Sequence, residues 1–188
     1  MKNKYMAVAL FLLGANCSAG ANADTYFKLG VDSSGSLNRT ISGTSVTATD
    51  DVNGSASMVF ESFAELSQNA DMGFGVEFQV RRKLTKYKGE FSFLPVYAAI
   101  RLHPELSDFT PYFAMQLGLS IFNADSNIKG IGETTPGAHV GIGVGCILDK
   151  DFVLELMATS DSGGVEYRGT PLLDVSYGKL TASVGAKF

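Results

Sequence analysis

The side chains most able to do chemistry are few. Two histidines, His103 and His139, and two cysteines, Cys17 and Cys146, are the only nitrogen and sulfur ligands among 188 residues. Structural and catalytic zinc sites draw three or four such groups together at short, recognisable spacings, and neither histidine stands in that pattern. His103 precedes Pro104 and reads as a turn residue, whereas His139 reads as a wall residue held by hydrogen bonds. Gly141-Ile-Gly-Val-Gly145 looks like a phosphate loop but lacks the Lys-Ser/Thr ending and the strand-to-helix setting such a loop needs. These residues therefore yield no metal, cofactor or catalytic site. What remains is charge: Lys28, Glu61, Glu65, Glu77, Arg81, Arg101, Glu155 and Lys179 fall on the polar face of alternating segments, and their chemistry is ion pairing.

Those segments alternate with period two, the signature of strands with one apolar face. Met72, Phe74, Val76, Phe78 and Val80 alternate with Gly73, Gly75, Glu77, Gln79 and Arg81, and Leu180, Ala182, Val184, Ala186 and Phe188 alternate with Lys179, Thr181, Ser183, Gly185 and Lys187. Eight strands are expected, near 25–33, 55–67, 71–82, 90–103, 111–123, 136–148, 151–160 and 172–188. The seventh is the shortest, with Phe152, Leu154, Leu156 and Ala158 on the apolar face and Glu155 opposite. Connections after strands two, four and six are short, and the others are longer and richer in Gly, Ser and Thr. Strands of this length with turns alternately short and long describe an all-β, eight-stranded antiparallel up-and-down transmembrane barrel.

The second face decides between that barrel and a soluble sandwich. It is dominated by Gly, Ala, Ser and Thr, which suit a narrow interior better than a wet exterior. Phe27, Phe74, Phe113, Phe152 and Phe188 lie on the apolar face beside the short turns, as an aromatic girdle at a membrane interface would. Pro95 interrupts the fourth strand and calls for a bulge.

Composition agrees with an ordered, non-helical membrane protein. Hydrophobic residues make up 45% and charged residues 18% of the chain, too apolar for disorder. The formal charge of −4 and pI near 5.1 speak against nucleic acid as a partner. Lys2 and Lys4 precede the apolar run Met6 to Leu13, and Ala21-Asn-Ala23 supplies small residues at a cleavage site. Residues 1–23 are thus read as a removed signal peptide and 24–188 as the barrel. Removal of two lysines leaves 13 bases against 19 acids, a net −6, and leaves Cys146 as the sole cysteine, an inert apolar thiol without a disulfide partner.

The leader, the strand pattern and the terminal Tyr177-Gly-Lys-Leu-Thr-Ala-Ser-Val-Gly-Ala-Lys-Phe188 resemble the small eight-stranded outer-membrane β-barrel proteins, the class of the OmpA transmembrane domain, OmpX/Ail and the opacity proteins. The resemblance covers the whole mature chain, and its motif-like part is the last strand. It implies residence in the outer membrane of a Gram-negative bacterium, among lipid and lipopolysaccharide. It also implies that Leu180, Val184 and Phe188 form the signal read by the barrel-assembly machinery.

In that setting the polar-face charges line a lumen. The expected network is Lys28, Glu61, Glu77, Arg81, Arg101, Glu155 and Lys179, with Glu61 roughly opposite Glu77 and Glu65 on the same face. Paired and dry, it would be a structural plug; hydrated, it would line a small gated pore. Arg82, Lys83, Lys86 and Lys88 would lie at the outer surface, either as lipopolysaccharide contacts or as solvated loop charge. Lipid A deacylases of barrel type place a His and a Ser two apart on one strand face. His103 is followed by Pro104-Glu105 and His139 by Val140-Gly141, so catalysis is not expected. The expected role is structural or surface-interacting, through outer loops Ser33 to Gly54 and Asn123 to Thr135.

Overall fold

The computed structural model describes residues 23–85, 88–105 and 107–188. The expected leader falls outside these residues except for Ala23, as does Lys86. The strands are β1 (Asp24–Asp32), β2 (Gly35–Ile41), β3 (Thr47–Val52), β4 (Ser55–Ser67), β5 (Ala70–Gln79), β6 (Arg82–Lys83), β7 (Glu90–Leu102), β8 (Phe109–Ala124), β9 (Glu133–Leu148), β10 (Phe152–Tyr167) and β11 (Thr170–Lys187). Among the described residues there is one short helix, α1 (Ser126–Lys129), capped by Asp125, whose carboxylate accepts from the Asn127 and Ile128 amides.

Eight strands close a ring in the order β1-β4-β5-β7-β8-β9-β10-β11, and β11 pairs back onto β1 from Asp32↔Thr181 to Tyr26↔Lys187. Closure matters because an open sheet edge cannot be tolerated in lipid, where no water satisfies its amides. Outward side chains are apolar and exposed: Leu117 at 69%, Val144 at 56% and Phe74 at 56%. Inward neighbours are buried, as with Gln116 and Tyr112. The protein is therefore inside-out relative to a soluble domain. β10 has the expected parity, with Phe152, Leu154 and Leu156 outward and Glu155 inward.

The outer half differs from the expected loops. The segment Ser33 to Gly54 is a hairpin, β2–β3, whose first strand runs along β11 above β1 and whose second returns toward β4. β1–β2 and β3–β4 are thus one tall hairpin, notched at Ser33-Ser34 and Asn53-Gly54. Likewise β10 is not the shortest strand: it continues to Tyr167 and turns at Arg168-Gly169 into β11, both turn residues having positive φ (50° and 79°). That backbone suits the twist of a tight hairpin.

Pro95 receives no simple bulge. The β5–β7 ladder ends at Val76↔Val96, one residue short of the proline, and pairing resumes at Arg82↔Phe91 through β6. A residue without a donor cannot continue that ladder, so pairing on this side of β7 lapses while β7 stays on β8 through Pro95↔Ser120 and β5 stays on β4 to Gln79, and it resumes with shifted parity.

Inside, two apolar clusters close the barrel. The one toward the short turns contains Tyr26, Phe63, Tyr97, Tyr112, Ile147 and Met157. Tyr97 and Tyr112 fit only because glycines stand across from them: a Cβ on Gly145 would lie 2.4 Å from the Tyr112 ring, and one on Gly75 2.5 Å from Tyr97. The outer cluster brings Leu37 of β2, Val52 of β3, Leu84 and Ile128 of α1 onto Phe91, Phe93, Phe122 and Tyr177. Its rings pack edge-on (Phe91 with Phe93 and Tyr177), tilted (Phe122 with Phe91 and Phe93) and stacked (Phe93 with Tyr177), at 5.0–6.5 Å.

Candidate functional site

Between the clusters the lumen holds charge, arranged in two layers. In the layer nearer the short turns, Lys28 of β1 sits 2.8 Å from Glu61 of β4 and is also paired with Glu155 of β10. Arg101 of β7 approaches Glu61 at 2.9 Å. Tyr97 donates to Glu61 (2.9 Å) and Tyr112 donates to Glu155 (2.8 Å), so the carboxylates keep hydrogen-bond partners despite losing water. The Arg101 guanidinium lies over the Tyr26, Phe63 and Tyr112 rings, 3.7–4.9 Å from their centroids.

The outer layer repeats the scheme with different residues. Lys179 of β11 lies 3.0 Å from Asp32 of β1 and pairs with Glu77 of β5. Arg82 of β6 pairs with Asp32, which also accepts from Thr181 (2.7 Å) and Ser57 (3.3 Å). Each layer thus contains two acids and two bases. Gln79 and Gln116 connect the layers to a buried His139–Asp161 pair: His139 Nδ1 is 2.7 Å from Asp161, its Nε2 is 3.2 Å from Gln116 Oε1, and Gln79 donates to Asp161 at 3.1 Å. The Tyr97 ring stacks on His139 at 5.0 Å. The pocket remaining among Lys28, Glu77, Gln116, Glu155 and Met157 has a volume of about 20 Å³, room for roughly one water.

Six of the expected network residues lie in these layers: Lys28, Glu61, Glu77, Arg101, Glu155 and Lys179. Arg81 does not. It is exposed, and Arg82, expected outside as a lipopolysaccharide contact, is the buried base at 1% exposure. The irregular backbone after Gln79 exchanges the two, because a single inserted residue inverts the parity of everything beyond it. Glu61 stands across from Gly75 and Glu77 across from Val59, so the two carboxylates are offset and take separate cations. A register shift between Glu65 and Ser67 adds one residue to the offset, since from the Ser67↔Ala70 pair alone Glu61 would face Val76. Glu65 reaches the mouth of the barrel and is exposed.

Asp32, Arg82 and Asp161 complete the network and lie outside the set expected from sequence. Asp32 has the parity of Lys28 and is legible on that ground; Asp161 lies past the expected end of its strand, and the irregularity hides Arg82. Lys83 and Lys88 are exposed at the outer end, Lys83 3.6 Å from Glu90. Along β11 toward the opposite end Leu180, Val184 and Phe188 point outward at 51%, 53% and 74% exposure, and at that end the Phe188 amide donates to Thr25 at 3.0 Å. Cys146 is half-buried, with the outward parity of Val144.

The outer membrane protein beta-barrel domain family matches residues 7–188. Among solved structures the chain is similar to OprG of Pseudomonas aeruginosa (TM-score 0.55, 13% identity, covering 89% of this chain and 96% of that one). It is also similar to Ail, the attachment invasion locus protein of Yersinia pestis (TM-score 0.53, 13% identity, 89% and 99%), and to AlkL in DMPC lipid bilayers (TM-score 0.56, 15% identity, 90% and 92%). At these identities the likeness concerns the fold. No curated protein sequence matches the chain.

Proposed function

Because the chain belongs to the outer membrane protein beta-barrel domain family, and so resides in the outer membrane of a Gram-negative bacterium, we propose that it is a plugged, non-catalytic barrel that works through its cell-surface elements. The reading rests chiefly on the lumen: two layers of matched ion pairs enclose a pocket of about 20 Å³, and an aromatic cluster lies over their outer side. A hydrated ion would have to displace buried salt bridges to pass, and each broken pair costs several kcal/mol.

With transport disfavoured, the elements beyond the membrane become the working parts. The β2–β3 hairpin, α1 and the β10–β11 turn stand at the end opposite the short turns, on a scaffold made rigid by the outer cluster. Ail, which shares the fold, has attachment in its name, and we read the outer elements here in the same sense. Among the described residues Arg81, Lys83 and Lys88 are the exposed bases of the 80–89 connection and suit lipopolysaccharide phosphates; Arg82 is excluded by its place in the lumen. Leu180, Val184 and Phe188 serve the barrel-assembly machinery.

The test is a pair of measurements on refolded protein. Proteoliposomes should retain trapped small solutes, and immobilised protein should capture lipopolysaccharide in a salt-sensitive manner that weakens when Arg81, Lys83 and Lys88 are changed to Gln. Solute leakage together with unchanged capture would overturn the reading.

A further inference from the structure

The short-turn end, periplasmic in a barrel of this kind, holds a cavity of about 500 Å³ lined by Asp24, Phe63, Glu65, Asp71, His103 and Glu105, among others. His103 is fixed at its edge. Its backbone N–H donates to Asn69 O (3.0 Å) and its carbonyl accepts from the Asn69 side chain (3.1 Å), tying the start of the β7–β8 connection to the β4–β5 turn. The ring is equally constrained: Nδ1 lies 2.7 Å from Pro104 O. A carbonyl can only accept, so Nδ1 carries the proton and, in the neutral ring, Nε2 carries the lone pair.

That lone pair is buried, the side chain being 2% exposed; it lies 3.2 Å from Asp71 Oδ2 but off the line to it, and makes no hydrogen bond. A cation bound between a ring nitrogen and a carboxylate sits off the line joining them, as that direction requires. Two ligand atoms on one zinc ion, at bond lengths of about 2.0–2.2 Å and a tetrahedral angle, stand roughly 3.3 Å apart. The backbone carbonyl on the remote nitrogen is the support that metal-bound histidines use. We propose that His103 Nε2 and the Asp71 carboxylate are two ligands of a divalent transition-metal site, of the zinc type, at the periplasmic mouth.

The surroundings favour a cation. Glu65 is directly across from Asp71 in the β4–β5 ladder, exposed at the same cavity, and supplies a third carboxylate by a side-chain rotation. Among the described residues no three ligands are arranged around one point, so Glu65 or water completes the sphere on binding. Of the bases at the mouth, Lys187 is 2.8 Å from Asp24, which leaves Lys150 against Glu65, Asp71 and Glu105. Arg101, behind the Tyr26 and Phe63 floor, is engaged by Glu61. Asp71 and His103 are 32 positions apart, beyond any local motif, and only the β5–β7 pairing unites them.

The test uses the refolded chain without affinity-tag histidines. Calorimetric titration with Zn²⁺ should give one ion per chain, and Co²⁺ should develop visible d–d absorption. His103→Ala and the isosteric Asp71→Asn should each weaken Zn²⁺ binding by at least the roughly 10–100-fold that loss of an outer-sphere partner typically costs. In the unmodified protein, the His103 Nε2 nitrogen resonance should shift on adding Zn²⁺, a readout that needs no variant to fold. No uptake at millimolar Zn²⁺, or uptake unaltered by both substitutions, would overturn the site and leave an ion pair only.

Discussion

Lys179→Met places the sharpest demand on the lumen account. Lys179 is the cation shared by Asp32 (3.0 Å) and Glu77, and its side chain is fully buried. Without it, Asp32 retains Arg82, Thr181 and Ser57. Glu77 is the residue that loses its ion pair, because Lys179 is the partner its carboxylate has in the outer layer. Leaving one buried charge uncompensated typically costs about 3–5 kcal/mol, whereas a hydrated pair in an open channel is worth about 0–1 kcal/mol. With a denaturant slope near 2 kcal/mol/M, the urea midpoint of the refolded barrel should fall by roughly 2 M. Glu77→Gln in the same chain should restore most of the loss, since it removes the stranded charge and keeps the shape. Glu61→Gln should not, because Glu61 belongs to the other layer with Lys28 and Arg101. The assay is equilibrium unfolding in lipid or detergent, followed by circular dichroism. A Lys179→Met midpoint equal to the parent's, or rescue by Glu61→Gln and not by Glu77→Gln, would refute the two-layer assignment.

Other consequences are as direct. Arg82→Met should destabilise the barrel by a similar few kcal/mol while Arg81→Met leaves the unfolding midpoint within error, and the reverse order would mean that the backbone after Gln79 is regular. Cysteines at Leu117 and Val144 should be quenched by lipid-borne probes, while one at Gln116 should be shielded; quenching at Gln116 alone would invert the register of β8. Deleting Phe188, which is 74% exposed beyond the last strand, should reduce assembly in cells far more than refolding in detergent, and normal surface levels would remove its role as an assembly signal.

Much of this architecture is legible in the residues because lipid imposes a rule with one variable. Every outward position within the membrane must be apolar, so parity alone assigned Leu154 and Leu156 outward and Glu155 inward. Above the membrane the rule lapses. β2 and β3 carry Ser, Asn, Arg, Thr and Asp on both faces, with Leu37 and Val52 the apolar residues turned inward, so a strand pair there looks like a loop. Parity also fails wherever the chain inserts a residue, and irregular register cannot be seen in composition. The Glu65/Ser67 shift moved Glu61 one residue further from Glu77, and the break before Pro95 exchanged Arg81 for Arg82. Contacts across the lumen, such as Lys28 with Glu155 or His139 with Asp161, depend on ring closure and have no local signature.

The proposed plug requires that charge fill the lumen and not line a passage, and single-channel recording of the refolded protein in a planar lipid bilayer decides between the two. A filled lumen gives no steady conductance across moderate voltages in either polarity, and none after Lys179→Met with Glu77→Gln, since that pair of changes leaves the packing in place. A stable ohmic conductance in the unmodified protein, sensitive to substitution of Lys28, Glu61 or Glu155, would contradict it.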